Sequence, residues 1–90
     1  MTEKELEKDF LKYAEKIKKE KDLKLDNDTL LLLYGYFKQA TCGDCDIEEP
    51  YKIYYKEHAK YTAWNNNKDI SKEKAMKYYI RTVKKSLKEK

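Results

Sequence analysis

The sequence predicts an all-α domain built from four helices. Glycine occurs only twice and proline once in 90 residues. Glu and Lys, which favour helices, are abundant, whereas β-branched residues are few. Apolar side chains recur at three- and four-residue steps in separate segments, which is the period of an amphipathic helix. A chain of this length forms one domain, so we expect residues 1–90 to fold as a single unit.

The first helix is predicted to begin at Thr2. Thr2 and Glu5 have the spacing of a capping box, in which each side chain accepts a hydrogen bond from the backbone amide of the other residue. The helix is expected to run to about Glu20. Its apolar face is formed by residues three or four positions apart, namely Leu6, Phe10, Ala14 and Ile17.

The second helix is predicted to follow the N-cap residues 26–28 and to stop near Gly43. It is apolar almost all round. One face contains Leu30, Leu33, Tyr34 and Phe37, and another contains Leu32, Tyr36 and Gln39. A helix that is apolar on two faces must be buried on both, so the second face is a candidate ligand contact in so small a domain.

The third helix is predicted to start soon after Pro50, with Ile53, Ala59 and Trp64 among its apolar residues, and to end at the asparagines 65–67. Ser71 is the predicted N-cap of the fourth helix. The apolar positions of that helix are Met76, Tyr79, Ile80, Val83 and Leu87. Short links predict an up-down bundle of antiparallel type. The link between the second and third helices is the longest, which leaves a skewed arrangement open.

The composition excludes several classes of protein. Leu, Ile, Val and Phe make up only 17 of 90 residues, which is in the range of disordered chains, but nine Tyr and one Trp supply the missing core volume. No apolar run is long enough to span a bilayer, so we expect no stable membrane insertion. Two cysteines and a charged N-terminal segment predict a cytoplasmic location.

The sequence offers no convincing catalytic or metal-binding group. Cys42 and Cys45 form a C-x-x-C, but a zinc site needs two further ligands and His58 is the only histidine. A redox motif of this kind would need a preceding strand, which the pattern does not predict. No Ser or Cys is spaced to act as a nucleophile with His58. We therefore expect no metal, no cofactor and no enzymatic activity.

Aromatic and basic residues share helical faces. Tyr34, Phe37 and Lys38 lie at positions i, i+3 and i+4, and Lys56 and Lys60 are four apart on the next helix. Aromatic rings beside ammonium groups suit a nucleotide, because the rings stack on a base and the lysines meet phosphates. Lysine is so frequent here that spacing alone leaves a second interpretation open, in which the rings belong to the core and the lysines only keep the domain soluble.

Three blocks of this sequence resemble the acyl-CoA-binding protein family. Residues Tyr34–Asp44 follow the family pattern Y-x-x-[YF]-K-Q-A-T-x-G-D. The second block runs from Lys56 to Asn65 and contains Lys56, Ala59, Lys60, Ala63 and Trp64 at the family spacing. The third is Ser71-Lys72-Glu73-x-Ala75-Met76-x-x-Tyr79-Ile80. The blocks occur in the order of the family and cover the chain from about Phe10 to Leu87.

The resemblance implies a four-helix bundle that binds acyl-CoA thioesters without turning them over. It implies that Tyr34, Lys38 and Lys60 hold the 3′-phosphate of CoA and that Phe37 and Tyr79 surround the adenine and ribose.

Further residues complete the expected site. The resemblance adds Lys56 and Lys18, with Lys19 as an alternative to Lys18, and the matched segment includes Gly35 and Tyr36. Leu31 and Leu32, from the apolar excess of the second helix, are candidate walls for the acyl chain.

The expected role is that of a monomeric carrier and reservoir for medium- to long-chain acyl-CoA, with the chain sequestered in an interhelical groove. The pI of 8.9 raises the alternative of a nucleic-acid-binding module, but 17 interspersed acids and a single arginine argue against nucleic acid as a partner. A thioester-processing enzyme would need a nucleophile and base that the sequence lacks. A third alternative is a module of a larger protein.

Overall fold

The computed structural model describes residues 2–19 and 25–88. Those residues form four helices and no strand: α1 (Glu3–Lys19), α2 (Asn27–Cys42), α3 (Tyr55–Asn65) and α4 (Lys72–Lys88). The predicted all-α class is therefore confirmed. Glu20, where the first helix was expected to end, lies outside the described residues. None of the described helices combines the length and apolar character needed to cross a bilayer.

Side-chain caps define the starts of three helices. The Thr2 hydroxyl accepts a hydrogen bond from the Glu5 amide at 3.2 Å, and the Glu5 carboxylate accepts one from the Thr2 amide at 3.0 Å, which confirms the capping box. Asp26 accepts a bond from an amide in the first turn of α2 at 2.9 Å. Ser71 does the same for the Lys74 amide of α4 at 3.1 Å. The capping box and the Ser71 cap are confirmed. Helix α2 was expected to start after residues 26–28, but Asp26 alone caps it, and Asn27 and Asp28 already belong to its first turn.

Helix α3 starts later than the sequence predicted. It begins at Tyr55, and Ile53 lies outside it with 80% of its surface exposed, so the assignment of Ile53 to the third helix was wrong. The Tyr54 amide donates instead to the Tyr51 carbonyl at 3.0 Å, which closes a turn. The reason is that no side chain caps the start of α3. Proline is compatible with the first turn of a helix but does not itself begin one.

The helices do not simply alternate in direction. Glu3 and Glu73 line one surface cavity, and the Lys84 ammonium lies 5.7 Å from the Tyr13 ring, so α1 and α4 run parallel. Helices α2 and α3 also run parallel. Tyr34 meets Lys60, and one turn later on both helices Lys38 meets Trp64.

Helix α2 runs antiparallel to α4. Phe37 lies beside Tyr79, with 6.0 Å between the ring centroids, while the later residue Gln39 reaches the earlier residue Ile70. The order is therefore up-down-down-up, the skewed arrangement that the long link left open. Residues 43–54 permit it, because about 40 Å of extended chain exceeds the roughly 24 Å length of α2.

The core lies between α1, α2 and α4. Seven of its buried members come from the predicted apolar faces: Leu6, Phe10, Leu33, Met76, Tyr79, Ile80 and Val83. Ala40 and Ala75, which were not assigned to those faces, complete it. Tyr13 and Tyr36 pack against this cluster from the side. Fully burying one large apolar side chain contributes about 1.5–3 kcal/mol. Phe10, Trp64 and Tyr79 are buried, whereas Tyr51, Tyr54 and Tyr55 are largely exposed, so only part of the aromatic content compensates for the few aliphatic residues.

A buried amide connects the end of α2 to the link between α3 and α4. Gln39, only 1% exposed, donates to the Ile70 carbonyl at 2.8 Å and to the Asp44 carboxylate at 2.9 Å. The same Asp44 oxygen accepts a bond from the Asp69 amide at 2.9 Å. These hydrogen bonds hold the pKa of Asp44 below its usual value, and the bond from the Asp69 amide has the larger effect. The network holds α2 and α4 in register and thereby positions the residues between them.

Candidate functional site

A groove of about 1010 Å³ lies between α1 and α2. We call it the α1–α2 groove. Leu30, Leu33, Tyr34 and Phe37 of α2 line it, as their predicted common face requires. The remaining lining residues come from α1, from the segment before α2 and from α4, and they are Leu11, Ala14, Glu15, Ile17, Lys18, Leu25 and Tyr79. The walls are apolar except for the Glu15 carboxylate, the Lys18 ammonium and the hydroxyls of two tyrosines, which suits an amphipathic ligand.

One end of the α1–α2 groove is aromatic. Phe10 stacks on Phe37, with ring centroids 5.5 Å apart, and meets Tyr79 edge-on at 5.0 Å. Phe37 is 37% exposed, so part of its ring remains open to a ligand. Burial raises the pKa of the Tyr79 phenol above its ordinary value of 10.0, which further favours the neutral form, a hydrogen-bond donor. The packing therefore provides a rigid surface for a planar ring.

Lysine side chains meet aromatic rings at the junction of α2 and α3. The Lys60 ammonium lies 5.6 Å from the Tyr34 ring, and the Lys38 ammonium lies 4.7 Å from the Trp64 ring. Trp64 is itself fixed, because it is 3% exposed and its indole N–H donates to the Gly43 carbonyl at 2.8 Å. The parallel course of α2 and α3 brings these two lysines to the same edge of the bundle.

The four lysines predicted to belong to the site have no counter-ion among the described residues. Among residues 2–19 and 25–88, no carboxylate oxygen lies within 4.0 Å of Lys18, Lys38, Lys56 or Lys60. Lys56 and Lys60 are exposed and one turn apart on α3. Unpaired ammonium groups beside aromatic rings form an electrostatic site for phosphate, because a bound anion would meet no competing carboxylate.

The structure distinguishes the two candidate lysines of α1. Lys18 lines the α1–α2 groove, whereas Lys19 lies 3.9 Å from Glu15 in an exposed ion pair. The geometry therefore favours Lys18 as the α1 contribution to the site.

Leu31 and Leu32 belong to a different groove. This α2–α3 groove has a volume of about 530 Å³ and shares no lining residue with the first. Its other walls are Asp28, Ala59, Thr62, Ala63, Asn66 and Asn67. Tyr34 lines the α1–α2 groove, and Lys60, whose ammonium lies over the Tyr34 ring, directly follows Ala59 of the α2–α3 groove in the chain. The residues predicted as walls for the acyl chain thus line the smaller groove, whereas the predicted head-group residues Tyr34, Phe37 and Tyr79 line the larger one.

Lys18 apart, the walls contributed by α1 were missed because they look like ordinary surface or core residues. Leu11 is 61% exposed and lies off the apolar face that predicted the helix. The sequence did contain one signal for this groove. Leu11 lies beside the apolar face of α1 and widens it, which indicates a second apolar contact.

Gly35 and Tyr36 face away from the α1–α2 groove. A Cβ atom at Gly35 would lie 2.4 Å from the Ala63 carbonyl oxygen, so glycine permits the close approach of α2 and α3. Tyr36 packs on Tyr78 of α4, with 5.5 Å between the ring centroids. Both residues support the site by packing, and their direct contact with a ligand stays a prediction.

The candidate thiol and imidazole groups stand apart from this site. Cys42 and Cys45 are free, and His58 lies 2.7 Å from the Glu49 carboxylate. In the described part of the chain, no three His, Cys, Asp or Glu side chains are grouped so that they could hold a metal ion.

Comparison with known proteins identifies the family. The model of the family described as acyl CoA binding protein matches residues 7–83. The chain belongs to the acyl-CoA-binding protein family. The resemblance carried by the three sequence blocks is thereby confirmed, and members of this family are binding proteins rather than enzymes.

Individual members of the acyl-CoA-binding protein family match over nearly the whole chain. The acyl-CoA-binding protein of Dictyostelium discoideum is 48% identical over 71 residues, which cover 79% of this chain and 83% of that one. Acyl-CoA-binding domain-containing protein 1 of Oryza sativa subsp. japonica is 42% identical over 84 residues, covering 93% and 91%.

A solved structure has the same fold. The crystal structure of Oryza sativa acyl-CoA-binding protein 2 superposes with a TM-score of 0.87 at 40% identity, covering 93% of this chain and 90% of that chain. Sequence and structure thus agree on the family.

Proposed function

We propose that this protein binds medium- to long-chain acyl-CoA thioesters without catalysis and carries them as a monomer in the cytoplasm, forming a protected pool. The observation that supports this most directly is the Lys60 ammonium 5.6 Å from the Tyr34 ring, because Tyr34 lines one apolar groove and Ala59, the neighbour of Lys60 in the chain, lines the other. Such a junction offers a phosphate site and an apolar channel within reach of one ligand. An amphipathic anion with a long tail needs both.

In the proposed complex the CoA head group is held by charge and stacking. Tyr34, Lys38 and Lys60 hold the 3′-phosphate, and Phe37 and Tyr79 contact the adenine and ribose. Charge-assisted hydrogen bonds to phosphate are about twice as strong as neutral ones. Lys18, at the edge of the α1–α2 groove, and the exposed Lys56 supply further positive charge to the anionic head.

The acyl chain is proposed to lie in the α2–α3 groove, against Leu31, Leu32 and Ala59. Leu32 is 50% exposed, so a bound tail would cover apolar surface that otherwise faces water. Each buried methylene contributes about 0.8 kcal/mol, so affinity should rise with chain length until the groove is filled. A tail held in this way places the thioester against the protein, where water and hydrolases reach it less easily.

Calorimetric titration with palmitoyl-CoA, free CoA and palmitate tests the function. We expect tight binding of the thioester, weaker binding of CoA and little binding of the fatty acid, because only the thioester occupies both parts of the site. Equal affinity for all three ligands, or none, would show the proposal to be wrong. Hydrolysis of palmitoyl-CoA at a useful rate would overturn the non-catalytic assignment.

Single substitutions test the head-group site. Lys60→Ala and Tyr34→Phe should each weaken the binding of free CoA while leaving helicity unchanged, since neither residue belongs to the buried core. Lys19→Ala is the matched control, because Lys19 is an exposed lysine paired with Glu15. If Lys19→Ala weakens CoA binding as much as Lys60→Ala does, the effect is one of net charge and the site assignment fails.

A second pair of variants distinguishes the two grooves. Ala59→Phe fills the α2–α3 groove, and Ala14→Phe fills the α1–α2 groove at a half-buried position of the same kind. We expect Ala59→Phe to reduce the gain in affinity from octanoyl-CoA to palmitoyl-CoA, and Ala14→Phe to preserve that gain. The opposite result would place the tail in the α1–α2 groove.

A further inference from the structure

The net positive charge of this chain is concentrated on one helix. Helix α4 contains seven Lys or Arg and one Glu, a net charge of +6, whereas the whole chain has +4. All the other residues together therefore carry a net charge of −2. The mild overall charge conceals a strongly polarised molecule.

The cations of α4 form one exposed strip. We call it the α4 strip, and its members are Lys74, Lys77, Arg81, Lys84 and Lys85. Their spacing of three or four residues places them on one side of the helix, opposite the buried Tyr79 and Val83. The strip is about 16 Å long. Two acids flank the strip: Glu73 lies one turn before Lys77, and Asp9 of α1 shares a surface cavity with Lys77, Arg81 and Lys84. Within α4, no acidic residue lies between Lys74 and Lys85.

The α4 strip is unpaired and partly ordered. In residues 2–19 and 25–88 none of its five cations has a carboxylate oxygen within 4.0 Å. The Arg81 guanidinium lies 5.7 Å from the Tyr78 ring, and the Lys84 ammonium lies 5.7 Å from the Tyr13 ring. Both rings are half-buried and so have fixed positions, and they hold these two cations near the helix surface. The strip presents a row of positive charge at a fixed spacing.

We propose that the α4 strip docks this protein on the surface of an anionic lipid bilayer, without insertion. Clusters of four or more Lys and Arg on one helix face are attracted to anionic lipid head groups. None of the large exposed apolar side chains lies on α4. A protein partner would require such an anchor at the centre of the interface, whereas an electrostatic lipid surface does not.

The choice of a bilayer over a nucleic acid rests on the proposed function. An acyl-CoA with a long chain partitions into membranes through its tail, so a carrier that docks there meets its cargo. The strip also contains a single Arg, whereas Arg leads base recognition. None of the strip residues lines either groove, so docking leaves the ligand site free.

Vesicle flotation with the full chain tests the docking. We expect binding to vesicles of phosphatidylcholine mixed with phosphatidylserine, little binding to phosphatidylcholine alone, and release as salt screens the charges. Equal binding to both kinds of vesicle, or binding to neither, would overturn the proposal. Duplex RNA is the third arm. Strip-dependent binding of RNA in the absence of vesicle binding would make the strip a nucleic-acid surface and the proposal wrong.

A triple variant locates the surface. Lys77→Gln, Arg81→Gln and Lys85→Gln together should weaken binding to phosphatidylserine vesicles on the order of a hundred-fold, roughly five-fold for each cation removed. The control removes the same charge from exposed lysines outside α4, by Lys4→Gln, Lys8→Gln and Lys68→Gln. Equal losses in both variants would refute the strip.

The two proposals fail separately. The strip variant should retain the palmitoyl-CoA affinity of the parent chain, because none of its three changed residues lines the α1–α2 groove or the α2–α3 groove. Circular dichroism checks that its helices are intact. A strip variant that loses palmitoyl-CoA affinity while remaining folded would contradict the separation of docking surface and ligand site.

Discussion

Gly35→Ala should destabilise this domain, although alanine is the better helix former. The new Cβ would lie 2.4 Å from the Ala63 carbonyl oxygen and 2.9 Å from both the Ala63 carbonyl carbon and the Asn67 side-chain nitrogen. Two of these atoms are backbone and do not swing aside. Ordinary contact begins at 3.4 Å, so α2 and α3 must separate by roughly 1 Å at this point.

The magnitude follows from two opposing effects. Alanine in place of a mid-helix glycine stabilises by about 0.5–1 kcal/mol, whereas overpacking of a close contact costs about 1–3 kcal/mol. We expect a net loss of about 1–2 kcal/mol, because a backbone carbonyl is among the least yielding partners. For a domain of this size each kcal/mol lowers Tm by about 4–8 °C.

Urea unfolding followed by circular dichroism measures this change. The midpoint should fall while the slope stays constant, which indicates a loss of stability with an unchanged unfolded state. Gly43→Ala is the control, because its Cβ would meet only the end of the Lys72 side chain at 3.7 Å, although its φ of 84° disfavours alanine. Only Gly35→Ala should also weaken CoA binding, by moving Lys60 away from Tyr34. A Gly35→Ala protein as stable as the parent chain would refute this reasoning.

Three further changes have definite expected results. Trp64→Phe leaves the Gly43 carbonyl without its donor and should cost about 1–3 kcal/mol in a urea melt, whereas a cost near zero would mean that water replaces the indole. Phe10→Ala empties a site that is 2% exposed and should cost about 3–5 kcal/mol, with a smaller value indicating that neighbouring rings collapse into the space. The pKa of Asp44 lies below its ordinary 3.8, so its contribution to stability should be lost as the pH falls from 3.8 through the lowered value. Asp44→Asn should remove that part of the pH profile, and an unchanged profile would contradict this.

The helices and their capped starts were predictable because they depend on local chemistry. The reciprocal bonds of Thr2 and Glu5, and the cap at Ser71, form between residues three positions apart. Such contacts depend on spacing along one helix and not on what packs against it. Helix α3 shows the limit, since its start has no capping side chain and Ile53, which was expected inside it, precedes it.

The sequence by itself determined the helical class, the apolar faces and the set of candidate ligand residues. Only the tertiary structure decided which of those residues line the α1–α2 groove and which line the α2–α3 groove. Tyr34 and Lys60 come together because α2 and α3 run parallel, and Leu31 lies in a second groove because neighbouring α2 residues point to different sides of the helix. The tertiary structure also revealed the role of Gly35. From the sequence, a glycine in mid-helix only lowers helix stability, whereas the structure places the Ala63 carbonyl directly opposite it. Contacts between helices depend on the relative direction of the helices and the distance between them, and neither can be deduced from the spacing of residues along the chain.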